Sequence, residues 1–234
     1  MDLDSDIRAN LAAVRDRIEA ACARAGRDPA GVTLVGVTKT RGADVVAAAV
    51  RAGLADLGEN YAQELVRKAS GLPAGVAPRW HFIGALQTNK VRHVAGLISA
   101  IHSVDRPSLA DELAKRLPAG AAVDVFVEVG IAGEEQKSGM APAGAEALCR
   151  RVLEVPSLRL AGLMCVPPDA DDPEASRPHF RALRELRDRL LDAIRPPAGR
   201  LAGLSMGMSH DLEVAVQEGA TVVRVGTALF GRRG

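Results

Sequence analysis

The chain has 234 residues, of which 47% are hydrophobic and 25% are charged, and its net charge is +1 at pH 7 with neutral histidines. This composition is typical of a soluble globular protein, and the weak charge together with one Trp, one Tyr and four Phe argues against nucleic-acid binding, which uses basic surfaces and aromatic stacking. Cys22, Cys149 and Cys165 are too widely spaced for a disulfide framework or a zinc site, and the absence of a signal-peptide pattern or an apolar run of about 18 residues predicts a cytoplasmic protein with no membrane span.

The N-terminal segment is predicted to form an amphipathic helix. Its apolar residues recur at intervals of three and four, at Ile7, Leu11, Val14 and Ile18. That spacing places them on one face of a helix, which we expect to pack against the rest of the protein. Gly26 is a typical helix end.

Short apolar runs then alternate with helical stretches along the chain. The runs that are typical of buried strands cover residues 33–38, 54–58, 79–83, 98–102, 123–128, 158–163, 201–205 and 221–225. The clearest helical stretches between them cover residues 42–51, 60–70, 107–117, 142–154, 173–194 and 209–218. Strands that alternate with helices indicate parallel βαβ units.

Eight such units predict the α/β class and a single (β/α)8 TIM barrel. About 250 residues is the usual size of this fold, so we expect one domain over residues 1–234. The alternative is a doubly wound open sheet, because the runs 98–102 and 201–205 are weak strand candidates.

Polar residues collect where the predicted strands end. In a barrel of this kind the chemistry lies at the carboxyl ends of the strands. His81 lies within the third strand, and the residues placed at or after strand ends are Lys39, Glu59, Asn60, Ser103, Glu128, Met164, the segment 205–209, Arg224, Gly226 and Thr227. This pattern predicts a functional site at one rim of the barrel.

Lys39 is the first candidate, because the chain has only five lysines against twenty-five arginines. A lysine with an apolar stem and a solvated amine is one interpretation. The other is an amine held in a partly apolar barrel mouth, where desolvation favours the uncharged nucleophile that condenses with an aldehyde. An arginine cannot perform this reaction.

Arg224 and the turn that follows it are the second candidates. A guanidinium in a valine-rich strand requires a partner, which is either a structural carboxylate (Glu128 or Glu59) or a ligand. Loops after the last two strands often bind phosphate in this fold. Ser209, Gly226 and Thr227 lie in those loops, although Ser209 and Thr227 also suit helix N-caps.

An aldehyde acceptor, a phosphate site and an arginine between them suggest a ligand with both an aldehyde and a phosphate. Pyridoxal 5'-phosphate (PLP) is such a ligand. The same spacing also admits a Schiff-base aldolase that acts on a phosphorylated sugar.

Several longer motifs resemble the YggS/PROSC family, the pyridoxal phosphate homeostasis proteins. They lie between about residues 32 and 231 and include "VTKT" (37–40), "LGENYAQE" (57–64), "WHFIGALQTNK" (80–90), "HSVDR" (102–106), "LSMGMSHDLEVAV" (204–216) and "VVRVGTALFG" (222–231). The resemblance implies a barrel like the N-terminal domain of alanine racemase, with PLP as an internal aldimine on Lys39. It implies that Arg224 faces the pyridine nitrogen, and it assigns the remaining cofactor contacts to Asn60, His81, Ser209, Gly226 and Thr227.

The resemblance also implies a protein that holds, buffers or delivers PLP without established catalytic turnover. The alternative is a PLP-dependent amino-acid racemase or another Schiff-base enzyme, which needs a second acid-base group. Tyr61, the only tyrosine, is expected to pack in the following helix, and His81 is expected to be structural. Lys137 and Lys90 are expected to be solvated loop lysines. The expected partners are PLP and PLP-dependent apoenzymes, and we expect a monomer.

Overall fold

The protein is a closed barrel of eight parallel strands. A computed structural model describes residues 2–133 and 139–231. Each strand pairs with the next one along the chain, and the last pairs with the first. The strands are β1 (Thr33–Val37), β2 (Asp56–Glu59), β3 (Arg79–Phe82), β4 (Ile98–Val104), β5 (Val123–Glu128), β6 (Leu158–Met164), β7 (Gly203–Ser205) and β8 (Val222–Val225). The predicted (β/α)8 barrel is confirmed, and the open-sheet alternative is wrong because β1 pairs with β8.

Helices surround the barrel. The described residues form α1 (Leu3–Arg24), α2 (Ala43–Arg51), α3 (Ala62–Gly71), α4 (Thr88–Val94), α5 (Pro107–Arg116), α6 (Ala145–Leu153), α7 (Arg177–Ile194), α8 (Leu212–Gln217) and α9 (Thr227–Phe230). Short 3-10 turns cover Pro29–Gly31, Pro142–Gly144 and Pro173–Ser176. Within residues 2–133 and 139–231, no helix has the length and apolar character that crossing a membrane requires.

The N-terminal helix α1 packs against α2, α8 and α9, outside the barrel. The apolar face predicted from the spacing is buried in full: Ile7, Leu11, Val14 and Ile18 are at most 5% exposed. Burial of such a face gives most of the stability of a helix in a protein. The sequence prediction for this element is confirmed.

Two strands differ by two residues in length from their predicted runs, and the others differ by at most one. β7 is short because Leu201 has a φ of +59°, a left-handed conformation that a strand does not contain. The Leu201 amide instead donates to the Leu160 carbonyl at 2.9 Å. β4 is longer than predicted, so that Ser103 lies inside the strand and is buried.

The interior of the barrel is unusually polar. Apolar branched residues normally fill it in layers, and here Val35, Phe126, Met164 and Val222 form only a small apolar cluster. Eight polar side chains on the strands are also buried, namely Asp56, Glu59, His81, His102, Ser103, Glu128, Ser205 and Arg224. Because buried polar groups are costly without partners, the contacts of these residues define much of the site.

Candidate functional site

Lys39 follows β1 at the carboxyl rim of the barrel. Its side chain is half-buried, and its amine has no hydrogen bond or ion pair with any residue that the structure describes. Lys39 lines a small cavity of about 60 Å³ together with Val37, Arg41, Phe230, Gly231 and the Gly226–Thr227 turn after β8. An unpaired amine therefore shares a cavity with the last turn of the barrel.

A second lysine lies just behind Lys39 in a contrasting environment. Lys68, on α3, is 2% exposed and its Nζ donates to Glu59 Oε1 at 2.5 Å and to the Thr38 carbonyl at 2.6 Å. The Thr38 hydroxyl donates to the same Glu59 oxygen at 2.5 Å. Burial raises the pKa of Glu59, and the hydrogen bonds from Lys68 and Thr38 oppose that effect. Lys68 is thus committed to a buried ion pair, whereas Lys39 is not.

This ion pair holds the backbone on both sides of Lys39. Lys68 binds the carbonyl before it, and the Thr40 amide after it donates to Glu64 Oε2 at 2.9 Å. Lys68 Nζ lies 3.3 Å from that same carboxylate. Thr40 has a φ of +65°, which is uncommon for a threonine and needs such support. We refer to Thr38, Glu59, Glu64 and Lys68 as the Lys68 cluster.

Arg224 lies inside the barrel, two residues before Gly226. Its Nη1 donates to Ser205 Oγ at 2.6 Å and its Nη2 donates to the Cys165 carbonyl at 3.0 Å. Of the two carboxylates considered as structural partners of Arg224, Glu59 is paired with Lys68 instead, whereas the charge of Glu128 acts on the guanidinium. Burial lowers the pKa of the Arg224 guanidinium, from a starting value so high that the group stays charged. The structure therefore places a buried cation just below the Gly226–Thr227 turn.

Ser209 joins the loop after β7 to that turn. Its Oγ accepts hydrogen bonds from the amides of Gly226 and Ala228, both at 3.3 Å. Ser209 does not cap α8, whose N-cap is Asp211. Thr227 is an exposed first residue of α9 and is not its N-cap either, because Gly226 occupies that position. Both N-cap alternatives are wrong. Instead, the Ser209 hydroxyl and the amides of Gly226 and Ala228 meet at the turn after β8.

The backbone of Ser209 is fixed from the outside by α1. Arg17 Nη2 donates to the Ser209 carbonyl at 3.0 Å. Glu213 orients Arg17 by accepting from its Nε at 2.6 Å and its Nη2 at 2.9 Å. Helix α1 is not part of the barrel itself, but it helps to position the rim through Arg17.

Asn60 follows β2 and has a buried acceptor without a described partner. Its Oδ1 makes no hydrogen bond with residues 2–133 or 139–231. A buried acceptor left in this state costs about 1–3 kcal/mol, so Asn60 is suited to a donor from a ligand or water. Gly84 packs directly against its backbone, since a Cβ on Gly84 would lie 2.3 Å from the Asn60 carbonyl oxygen.

His81 lies deeper than the rim residues. Its Nε2 is 2.9 Å from Oδ1 of Asp56, the first residue of β2, and its Nδ1 is 2.9 Å from His102 Nε2. Neither His81 nor Asn60 lines the small cavity beside Lys39. Of the predicted site residues, the structure brings Lys39, Gly226 and Thr227 around one cavity, with Ser209 bonded to that turn and Arg224 beneath it.

The remaining candidates lie apart from this cavity. Tyr61 was expected to pack in α3, but it is the residue before the helix and is 58% exposed, so that prediction is wrong. Lys90 was expected to be a solvated loop lysine, and that prediction is wrong because Lys90 is half-buried on α4, where it lines a surface groove of about 320 Å³ with Arg67 and His93. The prediction for Lys137 lies outside the described residues.

Sequence reasoning missed Lys68, Asp56 and His102, and it placed Ser205 at the rim without its contacts inside the barrel. Lys68 is four residues after Glu64, a spacing that brings side chains together on a helix. The other three residues make contacts between strands that are far apart in the chain, which spacing does not reveal.

Comparisons with known proteins identify the family of this chain. Residues 9–234 match the family described as "Alanine racemase, N-terminal domain". Two proteins named "Pyridoxal phosphate homeostasis protein", from Aquifex aeolicus and Pseudomonas aeruginosa, are each 47% identical to this chain. The alignments cover 95% of this chain and 96% of the Aquifex protein, and 98% of this chain and 96% of the Pseudomonas protein.

Solved structures give the same grouping. PipY from Synechococcus elongatus PCC7942, in a structure described as having PLP bound, is 32% identical and superposes with a TM-score of 0.81 over 96% of this chain and 100% of PipY. Alanine racemase from Corynebacterium glutamicum is 16% identical with a TM-score of 0.70, and the match covers 100% of this chain and 62% of the racemase, so it supports the fold alone. The chain belongs to the family of the alanine racemase N-terminal domain and, within it, to the pyridoxal phosphate homeostasis proteins.

Proposed function

We propose that this protein binds PLP covalently and reversibly at Lys39 and serves in cellular PLP homeostasis by holding, buffering or delivering the cofactor. The observation that carries the proposal is the half-buried amine of Lys39, which has no partner among the described residues and shares a cavity with the Gly226–Thr227 turn. The ε-nitrogen forms a C=N bond with the aldehyde carbon while the aldehyde oxygen leaves as water. Water or a competing amine reverses the reaction.

The residues around Lys39 fit the other groups of this ligand. The phosphate is an acceptor of hydrogen bonds, and the Ser209 hydroxyl, whose oxygen accepts from the amides of Gly226 and Ala228, has its own proton to donate at the turn. Arg224 supplies a permanent cation below the turn, and we assign its guanidinium as the partner of the pyridine nitrogen of PLP. A guanidinium is a poor proton source, so the ring nitrogen stays unprotonated and the ring withdraws electrons weakly. Asn60, with its unpaired buried Oδ1, and His81 complete our proposed set of binding residues.

We propose a carrier role and not a racemase. A racemase needs two acid-base groups, one on each face of the bound substrate. The two residues considered for the second group do not suit it, because Tyr61 is 58% exposed and both ring nitrogens of His81 are engaged. The curated relatives are named for PLP homeostasis. PLP-dependent apoenzymes are the recipients we propose, and we propose a single domain over residues 1–234 that acts as a monomer.

The carrier role is tested with protein that has been loaded with PLP and freed of excess cofactor. We expect loaded protein to restore activity to a PLP-dependent apoenzyme, and we expect no change of chirality when it is incubated with L-alanine. The matched control is Lys39→Arg, which keeps the charge and cannot form the C=N bond. Racemisation at about 1 s⁻¹ or faster, the range of ordinary enzymes, would contradict the proposal.

A further inference from the structure

A line of buried polar side chains runs from the floor of the barrel to Arg224. We call it the interior relay, and its members are Asp56, His81, His102 and Ser205. The successive contacts are Asp56 Oδ1 to His81 Nε2 at 2.9 Å, His81 Nδ1 to His102 Nε2 at 2.9 Å, His102 Nδ1 to Ser205 Oγ at 2.7 Å, and Ser205 Oγ to Arg224 Nη1 at 2.6 Å. It uses residues of β2, β3, β4, β7 and β8.

The upper part of the interior relay is isolated from solvent. His102 and Ser205 have no exposed surface, and the His102 ring packs on Phe126 with ring centroids 4.5 Å apart. In such surroundings a donor or acceptor that loses its partner has no water to replace it. The hydrogen bonds of the relay are therefore strongly coupled, and a change in one of them must be accommodated by the next.

The end groups fix the direction of every hydrogen bond. The Arg224 guanidinium can only donate, and the ionised Asp56 carboxylate can only accept. Burial, with smaller effects from His81 and Arg224, lowers the pKa of His102 well below its ordinary value, so this ring is neutral at pH 7. When His81 is also neutral, one arrangement satisfies every group. Arg224 donates to Ser205, Ser205 donates to His102 Nδ1, His102 donates from Nε2 to His81 Nδ1, and His81 donates from Nε2 to Asp56.

Protonation of His81 reverses the arrangement above it. His81 Nδ1 then donates to His102 Nε2, and the neutral His102 ring must carry its proton on Nδ1 and donate to Ser205 Oγ. The Ser205 oxygen then receives donors from both His102 and Arg224, so its own proton must find another acceptor. Protonation of His81 thus changes the tautomer of His102, and through Ser205 it changes the hydrogen bonding of the Arg224 guanidinium.

The lower end of the interior relay is open to solvent. Asp56 also accepts from Arg79 Nε at 2.8 Å, and the Arg79 side chain is 64% exposed. Both line a groove of about 480 Å³ at the amino-terminal side of the strands. Burial would raise the pKa of Asp56, but the hydrogen bonds from His81 and Arg79 outweigh it and the pKa is lowered. The other charged or titratable groups near the two ends of the relay are Arg15, Glu19, Glu128, Cys165 and Asp211.

We propose that the interior relay is a positioning device for Arg224, which couples the orientation of the guanidinium at the cofactor's aromatic nitrogen to the protonation of His81. The ligand chemistry that it serves is an unprotonated ring nitrogen, which accepts a hydrogen bond. This inference rests on the proposed function for the identity of that ligand. The relay itself is a property of the protein without cofactor and is tested separately.

The direct test is ¹⁵N NMR of the histidine rings in cofactor-free protein from pH 5 to pH 9. The variant is Asp56→Asn, and the matched control is Asp124→Asn, because Asp124 also lies near a strand start and pairs with an arginine, Arg159, but contacts no histidine. We expect the wild type to carry the His102 proton on Nε2 near pH 8 and to lose that state on acidification. Loss of the Asp56 carboxylate removes the acceptor that fixes the His81 proton on Nε2 and should change the His102 signals in this range, whereas the control should leave them unchanged.

A second measurement reads the effect on Arg224. We expect Ser205→Ala, which removes one of the two acceptors of the guanidinium, to weaken PLP binding about tenfold and to change the pH dependence of the bound cofactor's visible absorbance. The proposal is overturned if wild-type His102 carries its proton on Nδ1 at pH 8, an outcome that needs no variant to fold. It is also overturned if Asp56→Asn and Asp124→Asn give the same His102 signals. A normal NMR result with no PLP binding would refute the proposed function and leave the relay intact.

Discussion

Substitution of Lys68 by methionine tests whether the Lys68 cluster is a buried ion pair that supports Lys39. The change keeps most of the apolar stem and removes the amine. Glu59, which is fully buried, then retains only the Thr38 hydroxyl as a donor. The Thr38 carbonyl loses its bond to Lys68 as well.

The expected loss of stability is large. Removal of one partner of a buried ion pair costs about 3–5 kcal/mol because the other charge stays behind. For a chain of this size that is a fall of roughly 10 °C in Tm. Glu59 limits the loss by taking up a proton, and each pKa unit corresponds to about 1.4 kcal/mol.

The sign of the pH dependence follows from this proton. Burial raises the pKa of Glu59 in the folded protein, and loss of Lys68 raises it further. The folded state then holds a proton that the unfolded state releases above pH of about 4.3. The free energy of unfolding of Lys68→Met should therefore fall, relative to that of the wild type, as the pH rises from 5 toward 8.

Urea unfolding at pH 5 and pH 8 measures both effects. Arg116→Met is the control, since Arg116 pairs with Glu112 on the exposed surface of α5, and it should unfold close to the wild type. The double variant Lys68→Met/Glu59→Gln should recover part of the loss, because the unpaired charge is gone. If Lys68→Met is as stable as the wild type at pH 8, the buried ion pair does not exist as described.

Three further outcomes follow from the structure. Ser209→Ala should weaken PLP binding about fivefold without weakening the binding of pyridoxal, which lacks the phosphate; equal loss for both ligands would place Ser209 away from the phosphate. Gly84→Ala should lower Tm, because its Cβ would lie 2.3 Å from the Asn60 carbonyl oxygen. Gly96→Ala should be tolerated, because the atom nearest to its Cβ would be 3.6 Å away. Equal Tm values for these two variants in calorimetry would contradict this. Burial raises the pKa of the Cys149 thiol to about 12, so a thiol reagent at pH 8 should label it only after unfolding, and rapid labelling of native protein would disprove its burial.

The barrel was predictable because its strands are short apolar runs at regular intervals. The errors lie where a local conformation overrides the pattern. Leu201 is as apolar as a strand residue, but its left-handed backbone delays the start of β7 to Gly203. Helix α4 was not predicted because it has only seven residues and its buried face consists of Val91 and Val94.

The rim of the site was predictable for a different reason. The rule that chemistry follows the carboxyl ends of strands was enough to group Lys39 with the turn after β8. It did not place His81, whose partners are Asp56 at the opposite end of β2 and His102 on β4. Nor did it find Lys68, because its ion pair joins a helix to a strand end and depends on how α3 packs.

The most direct test of the central claim is to reduce the protein with borohydride in the presence of PLP and to map the modified peptide by mass spectrometry. We predict that the label lies on Lys39 and disappears in Lys39→Arg, while Lys90→Arg labels as the wild type does. A label that persists on another lysine in Lys39→Arg, with the visible absorbance of the bound cofactor unchanged, would show that the amine beside the Gly226–Thr227 turn is not the attachment point.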